Sequence, residues 1–172
     1  MKNNIYIFLY LVLFVSAAYN TACTQTTWTK VEYNFNVGSQ PPPYHYSYKI
    51  TITKEGIAEL EYIAGYTKTD NNTYKNTIEI EKDRLRNLKN EIMQSDILNI
   101  TINQSPNDEI PEGGHSEYLV IYNRDKLLAS VPFYPDLTYE KVLYKLYNAI
   151  VNCIPDNIWK EIESQKVSNM DD

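Results

Sequence analysis

Apolar and polar positions alternate with a period of two over much of the first half of the chain, and that alternation predicts a sheet. From Trp28 to Val37, one side takes Thr29, Val31, Tyr33, Phe35 and Val37, and the other takes Trp28, Lys30, Glu32, Asn34 and Asn36. Successive strand side chains point to opposite faces, so each set lies on one side of the backbone. The pattern breaks at Gly38-Ser39-Gln40-Pro41-Pro42-Pro43. Proline cannot donate to a ladder and holds the preceding residue extended, so this run is read as a stiff, exposed loop. Alternation then resumes. Tyr44, Tyr46, Tyr48, Ile50 and Ile52 share one face, and His45, Ser47, Lys49, Thr51 and Thr53 share the other. At Lys54-Glu55-Gly56 a hairpin turn is expected, with Gly56 taking a positive φ. A third strand over 57–66 and a fourth over 74–81, joined at Thr69-Asp70-Asn71-Asn72, complete a four-stranded antiparallel meander.

At Asp83 the period changes. Leu85, Leu88 and Ile92 recur at steps of three and four, which predicts a helix ending near Ser95-Asp96. Beyond Ile97, Leu98, Ile100 and Ile102 comes a long polar loop, Gln104 to Ser116, of a length that usually accompanies mobility or function. Residues 117–122 and 127–131 flank Asn123-Arg124-Asp125-Lys126 and read as a later hairpin, closed off by Pro132 and Pro135. A second helix, capped by Asp136 or Thr138, carries the stripe Val142, Leu143, Leu146, Ile150 and Cys153. A short third helix from Pro155 buries Ile158, Trp159 and Ile162. The expected fold class is α+β, an antiparallel β-sheet made of a four-strand meander plus a later hairpin, with two or three helices packed on one face. Residues 28–165 make one expected globular domain, the chain fraying from Gln165 into a flexible tail over 166–172.

The ends of the chain change the picture more than its composition does. Met1-Lys2-Asn3-Asn4 gives a short positive start, and Ile5 to Ala18 is almost wholly apolar, which reads as an export signal. That run is shorter than the roughly 20 residues a spanning helix needs. Two cleavage readings stay open. Cleavage after Ala18 leaves Cys23 and Cys153 as an even pair for a disulfide in an oxidising compartment. Alternatively, Asn20-Thr21-Ala22-Cys23 followed by Thr24-Gln25-Thr26-Thr27 resembles a bacterial lipoprotein signal. That resemblance implies a signal peptide over 1–22, lipid attachment at Cys23, a short tether over 23–27 and a place in the cell envelope. Without it, the protein is expected to be secreted or periplasmic.

With 16 Lys+Arg against 22 Asp+Glu, the net charge is −6. An acidic surface argues against nucleic acid as a partner, and leaves an N-terminal lipid as the only expected membrane attachment. Lys82, Arg84, Arg86 and Lys89 cluster, but beside Glu79, Glu81 and Asp83 on a predicted helix, which makes a solvated face. The 16 tyrosines accompany many Asn, Ile and Lys, all favoured by A/T-rich codons, so their number alone implies no ligand.

Candidate chemistry is sparse. Two histidines, His45 and His115, without a close-spaced ligand pair, give no basis for a metal site or other cofactor. Gly113-Gly114-His115-Ser116-Glu117 is the most catalytic-looking string, since paired glycines let amides approach an anion beside a histidine and a serine. The nucleophile elbow is absent, and Cys153 sits on an apolar stripe where cysteine acts as a small core residue. The favoured expectation is a non-catalytic module binding a protein or glycan of the cell envelope. Its binding residues are Pro43, Tyr44, His45, Gly113, Gly114 and His115, on the premise that the proline loop and the glycine loop meet. Two alternatives remain: a small hydrolase or metal-dependent enzyme centred on His115, Ser116, Glu117 and His45, and an inhibitor of a secreted enzyme that presents the Pro41-Pro42-Pro43 loop.

Overall fold

The alternating segments become six strands of one antiparallel sheet: β1 (Lys30–Asn36), β2 (Tyr46–Thr53), β3 (Ile57–Ala64), β4 (Thr73–Glu79), β5 (Ser116–Asn123) and β6 (Lys126–Val131). They are seen in a computed structural model that describes residues 27–41, 44–106 and 114–168. The strand order is β4-β3-β2-β1-β5-β6. Meander and hairpin are therefore joined where β5 pairs with β1, and the chain crosses the sheet between β4 and β5 through α1 (Lys82–Gln94). After β6 come α2 (Glu140–Val151) and α3 (Asp156–Ser168). The fold is α+β, as the periodicities predict.

Register turns the period-two pattern into rows across the sheet. One row runs Ile78, Ala58, Ile52, Val31, Ile121 and Ala129. The next is Asn76, Leu60, Ile50, Tyr33, Leu119 and Val131, and a third is Tyr74, Tyr62, Tyr48 and Phe35, ending on Glu117. This inner face shares one core with Leu88 and Ile92 of α1, with Leu143, Leu146, Tyr147 and Ile150 of α2, and with Ile158 and Ile162 of α3. Trp159 meets the Tyr48 ring edge-on at 5.2 Å between centroids. The opposite face carries Lys30, Glu32, Lys49, Glu59, Glu61 and Lys75 and is left to solvent.

Several local expectations shift. β2 begins at Tyr46, because the Tyr44 amide donates to the Pro41 carbonyl (2.8 Å) and places Tyr44 in a turn, 65% exposed, outside the ladder. His45, assigned to a polar face by alternation, is instead 4% exposed. Val142 is exposed on α2, where Tyr147 takes the inward position four residues after Leu143. The β5–β6 turn tightens to Arg124-Asp125, with Arg124 at φ 54°. Asp136 caps as expected, accepting the Thr138 amide at 2.8 Å, but it caps a 3-10 turn, Leu137–Tyr139, that leads into α2. α3 continues to Ser168, past the point where fraying is expected.

Cys153 closes the turn after α2. It is buried, and its thiol donates to the Ala149 carbonyl at 3.3 Å. Burial pushes the thiol pKa up to about 12 against the opposing charge of Arg84, so the sulfur is a protonated core atom and not a nucleophile. Cys23 and the leader lie outside the described residues. No helix among the described residues is long and apolar enough to cross a membrane.

Candidate functional site

The third inner row ends unusually, with four aromatic positions followed by a carboxylate. Glu117 stands opposite Phe35, where β5 meets β1. The Tyr33 hydroxyl donates to Glu117 Oε1, and His115 Nε2 lies 3.6 Å from Oε2. The His115 ring stacks on Phe35 at 5.3 Å, and Phe35 in turn stacks on Tyr48 at 4.9 Å. The carboxylate is thus held by a phenol on one side and edged by an imidazole on the other.

A second wall comes from distant sequence. The Ser105 amide donates to the Tyr134 carbonyl (2.8 Å), its Oγ to the Pro135 carbonyl (2.9 Å), and the Asp136 amide to the Asn103 carbonyl (3.0 Å). These bonds clamp the segment after β6 against 103–105 and set the start of α2 over the Glu117 end of the sheet. Between the two walls lies a cavity of about 390 Å³. Glu117, His115, Phe133, Leu137, Tyr144 and Tyr147 face it, together with Ser105, Asp136, Glu140 and Leu143. Its size falls in the range of small-ligand or single-side-chain pockets.

Its buried side holds a phenol, Tyr147, backed by a second, Tyr33. Tyr147 packs against Tyr33 with 5.2 Å between ring centroids, and the Tyr147 hydroxyl is buried without a hydrogen-bond partner among the described residues. Burial first, and then the charge of Glu117, hold the Tyr147 proton above the usual phenol range. Burial, followed by neighbouring Tyr48 and Glu117, does the same to Tyr33. These hydroxyls stay neutral at physiological pH. Tyr33 spends its proton on Glu117, whereas Tyr147, which lines the cavity, keeps an unpartnered hydroxyl beside that carboxyl.

The candidates named from sequence are divided by the fold. Gly38, at φ 79°, packs directly on Gly114, and a Cβ there would come within 2.0 Å of the Gly114 carbonyl oxygen. The two loops therefore touch at that point, although Pro43 and Gly113 lie outside the described residues. Gly114 leads His115 to the cavity rim. His45 goes elsewhere: its Nδ1 lies 2.7 Å from the Gly38 carbonyl oxygen, and its ring stacks on Tyr66 at 3.7 Å. The Tyr66 hydroxyl donates to the Gln40 carbonyl, so His45 and Tyr66 together pin the loop before Pro41. Tyr44 stands exposed beyond them.

The hydrolase arrangement is not assembled. Ser116 pairs with Asn36 and alternates onto the opposite face from His115 and Glu117, and His45 does not line the cavity. Among the described residues, no group of three or more His, Cys, Asp or Glu side chains is placed to hold a metal ion. Sequence reasoning missed Tyr147, although it falls on the helical period between Leu143 and Ile150. It also missed Phe133, Leu137 and Tyr144, for which no period gives a signal. No protein-family model matches the chain, and no curated protein matches it at a significant level.

Proposed function

We propose that the chain is an exported, non-catalytic binding module of the bacterial cell envelope, held there by a lipid on Cys23, with the cavity between β5 and α2 as its binding site for a protein or glycan. The observation that carries the reading is a cavity of about 390 Å³ whose buried side presents an oriented carboxylate, Glu117, and an unpartnered phenol, Tyr147. Unmet hydrogen-bonding capacity inside a largely apolar pocket fits recognition. Catalysis is disfavoured because Ser116 faces the other side of the sheet, the hydroxyl of Ser105 at the cavity wall is donated to the Pro135 carbonyl, and the phenols keep their protons.

Two measurements test it. Intact mass of the membrane fraction is expected to show a diacylglyceryl adduct on a chain starting at Cys23; a soluble chain starting at Tyr19 would remove the tether. Amide chemical shifts of the labelled protein, titrated with envelope peptides and oligosaccharides, are expected to move at Glu117, Leu137 and Tyr147. Shifts scattered over the outer sheet face with none at the cavity would end the binding-site assignment.

A further inference from the structure

The cavity's charge is one-sided. Glu117, Asp136 and Glu140 are among its lining residues, whereas no lysine or arginine is among them. The one basic group among its described lining residues, His115, stands at the rim stacked on Phe35. Carboxylates alone would define nothing, but Tyr147 adds an independent feature: it is 7% exposed, it lines the cavity, and its hydroxyl has no partner among the described residues. A phenol oxygen in that state can accept an N–H. The Tyr144 and Tyr147 rings line the same space, and aromatic rings beside a carboxylate favour a cation with an apolar stem. Around the mouth, Phe133, Leu137 and Tyr144 are 50%, 67% and 69% exposed. A free amine would leave that apolar rim wet, whereas a protein surface would cover it and exclude water from the charge pair within.

Resting on the binding-module reading above, we infer that the cavity receives an arginine or lysine side chain presented by a protein partner: Glu117 takes the charged head, Tyr147 accepts one of its N–H groups, and the Phe133, Leu137 and Tyr144 rim packs on the partner's flanking apolar residues. Glu117 is preset for this role, because the Tyr33 hydroxyl fixes one carboxylate oxygen, while the other has only a long 3.6 Å approach from His115 Nε2 and can still take the incoming head. Asp136 and Glu140 add long-range attraction at the mouth, in keeping with the chain's net charge of −6.

The test uses the full chain and two short synthetic peptides, one carrying arginine between two aromatic residues and the other carrying citrulline, its neutral isostere, in the same place. The arginine peptide is expected to shift the Glu117 and Tyr147 amides and to bind at least about tenfold more tightly than the citrulline peptide, with affinity falling as salt rises. Glu117→Gln keeps an oxygen to accept the Tyr33 proton, and is expected to erase the preference for arginine. Glu140→Gln and Leu137→Ala, both at exposed positions, are expected to weaken binding a few-fold, and they carry the test if Glu117→Gln fails to fold. Equal binding of the two peptides would overturn the inference. A neutral oligosaccharide that shifts the same amides while the arginine peptide does not would overturn it too, yet leave the binding-module reading standing. Silence of the cavity toward every probe would remove both.

Discussion

The two faces of the sheet are made by alternate residues of the same strands, and they hold their side chains by different physics. On the inner face, Ile50, Ile52, Val31, Leu119 and Ile121 are fully buried against three helices. On the outer face, Glu32 is bridged by Lys30 (2.6 Å) and Lys49 (3.1 Å), and Glu61 by Lys68 (2.6 Å) and Lys75 (3.2 Å). Those ion pairs remain in contact with water, where the median exposed pair contributes at most about 1 kcal/mol. Stability therefore belongs to one face. The cavity lies at the end of that face, under the start of α2, where a carboxylate replaces an aromatic ring, so the proposed binding site falls at the boundary between the two regimes.

The sharpest way to break the contrast is truncation. Ile50→Ala removes a fully buried side chain from the centre of the sheet and is expected to cost about 2–5 kcal/mol in denaturant unfolding. Lys49→Ala, one residue away on the outer face, is expected to stay within about 1 kcal/mol. Similar losses for the two would abolish the distinction.

Alkaline pH attacks the same face through its phenols. Tyr33, Tyr48, Tyr62 and Tyr147 all have raised pKa values, burial being the first cause in each. A raised folded pKa means that the unfolded chain loses its protons first. The contribution of these groups is thus complete below pH 10.0, the ordinary phenol value, and falls as pH rises above it. Thermal melts stepped through that range are expected to show a steep decline, which replacing Tyr48 by Phe would soften. A flat profile would mean that the rings are not buried as described.

Gly38→Ala acts at the seam between the loops. Its positive φ and the close approach of the Gly114 oxygen are expected to cost about 1–3 kcal/mol and to displace the His115 amide signal. An unchanged His115 signal would separate the two loops. Smaller again is Tyr147→Phe. Removing a buried hydroxyl that has no partner is expected to leave stability within about 1 kcal/mol of the parent, or raise it, while weakening cavity binding. Equal binding by this variant would take the hydroxyl out of the site.

The outer face gives the slightest effect. Lys30 first, and then Lys49, hold the Glu32 carboxyl below its ordinary value, and Lys68 followed by Lys75 do the same for Glu61. Depressed carboxyls contribute above pH 4.5 and lose that contribution as pH falls below it. Glu32→Gln is expected to cost under about 1 kcal/mol at neutral pH, with the deficit shrinking in acid.

Much of this architecture was legible residue by residue. Alternation grouped Val31 with Tyr33 on one side of the first strand and Ile50 with Ile52 on one side of the second, all four of them buried, and Gly56, at φ 97°, occupies the turn assigned to it. These are local facts, set by the two-residue repeat of a strand and by the one residue that tolerates that backbone angle. His45 was misread because alternation holds only within a ladder, and the Tyr44–Pro41 turn places His45 one residue before β2 begins.

Sequence by itself determined which stretches form strands, which of their sides are apolar, and that α1 and α2 each carry a buried stripe, because those patterns repeat over distances of two to four residues. Only the tertiary structure decided that β5 pairs with β1, that Glu117 therefore ends a row of aromatic rings, and that 103–105 clamps 134–136 so that Tyr147 comes over it. The physical reason is the range of the interactions. A cavity is bounded by groups far apart in the chain, and their meeting depends on the packing free energy of the whole core, which no short stretch of the sequence expresses.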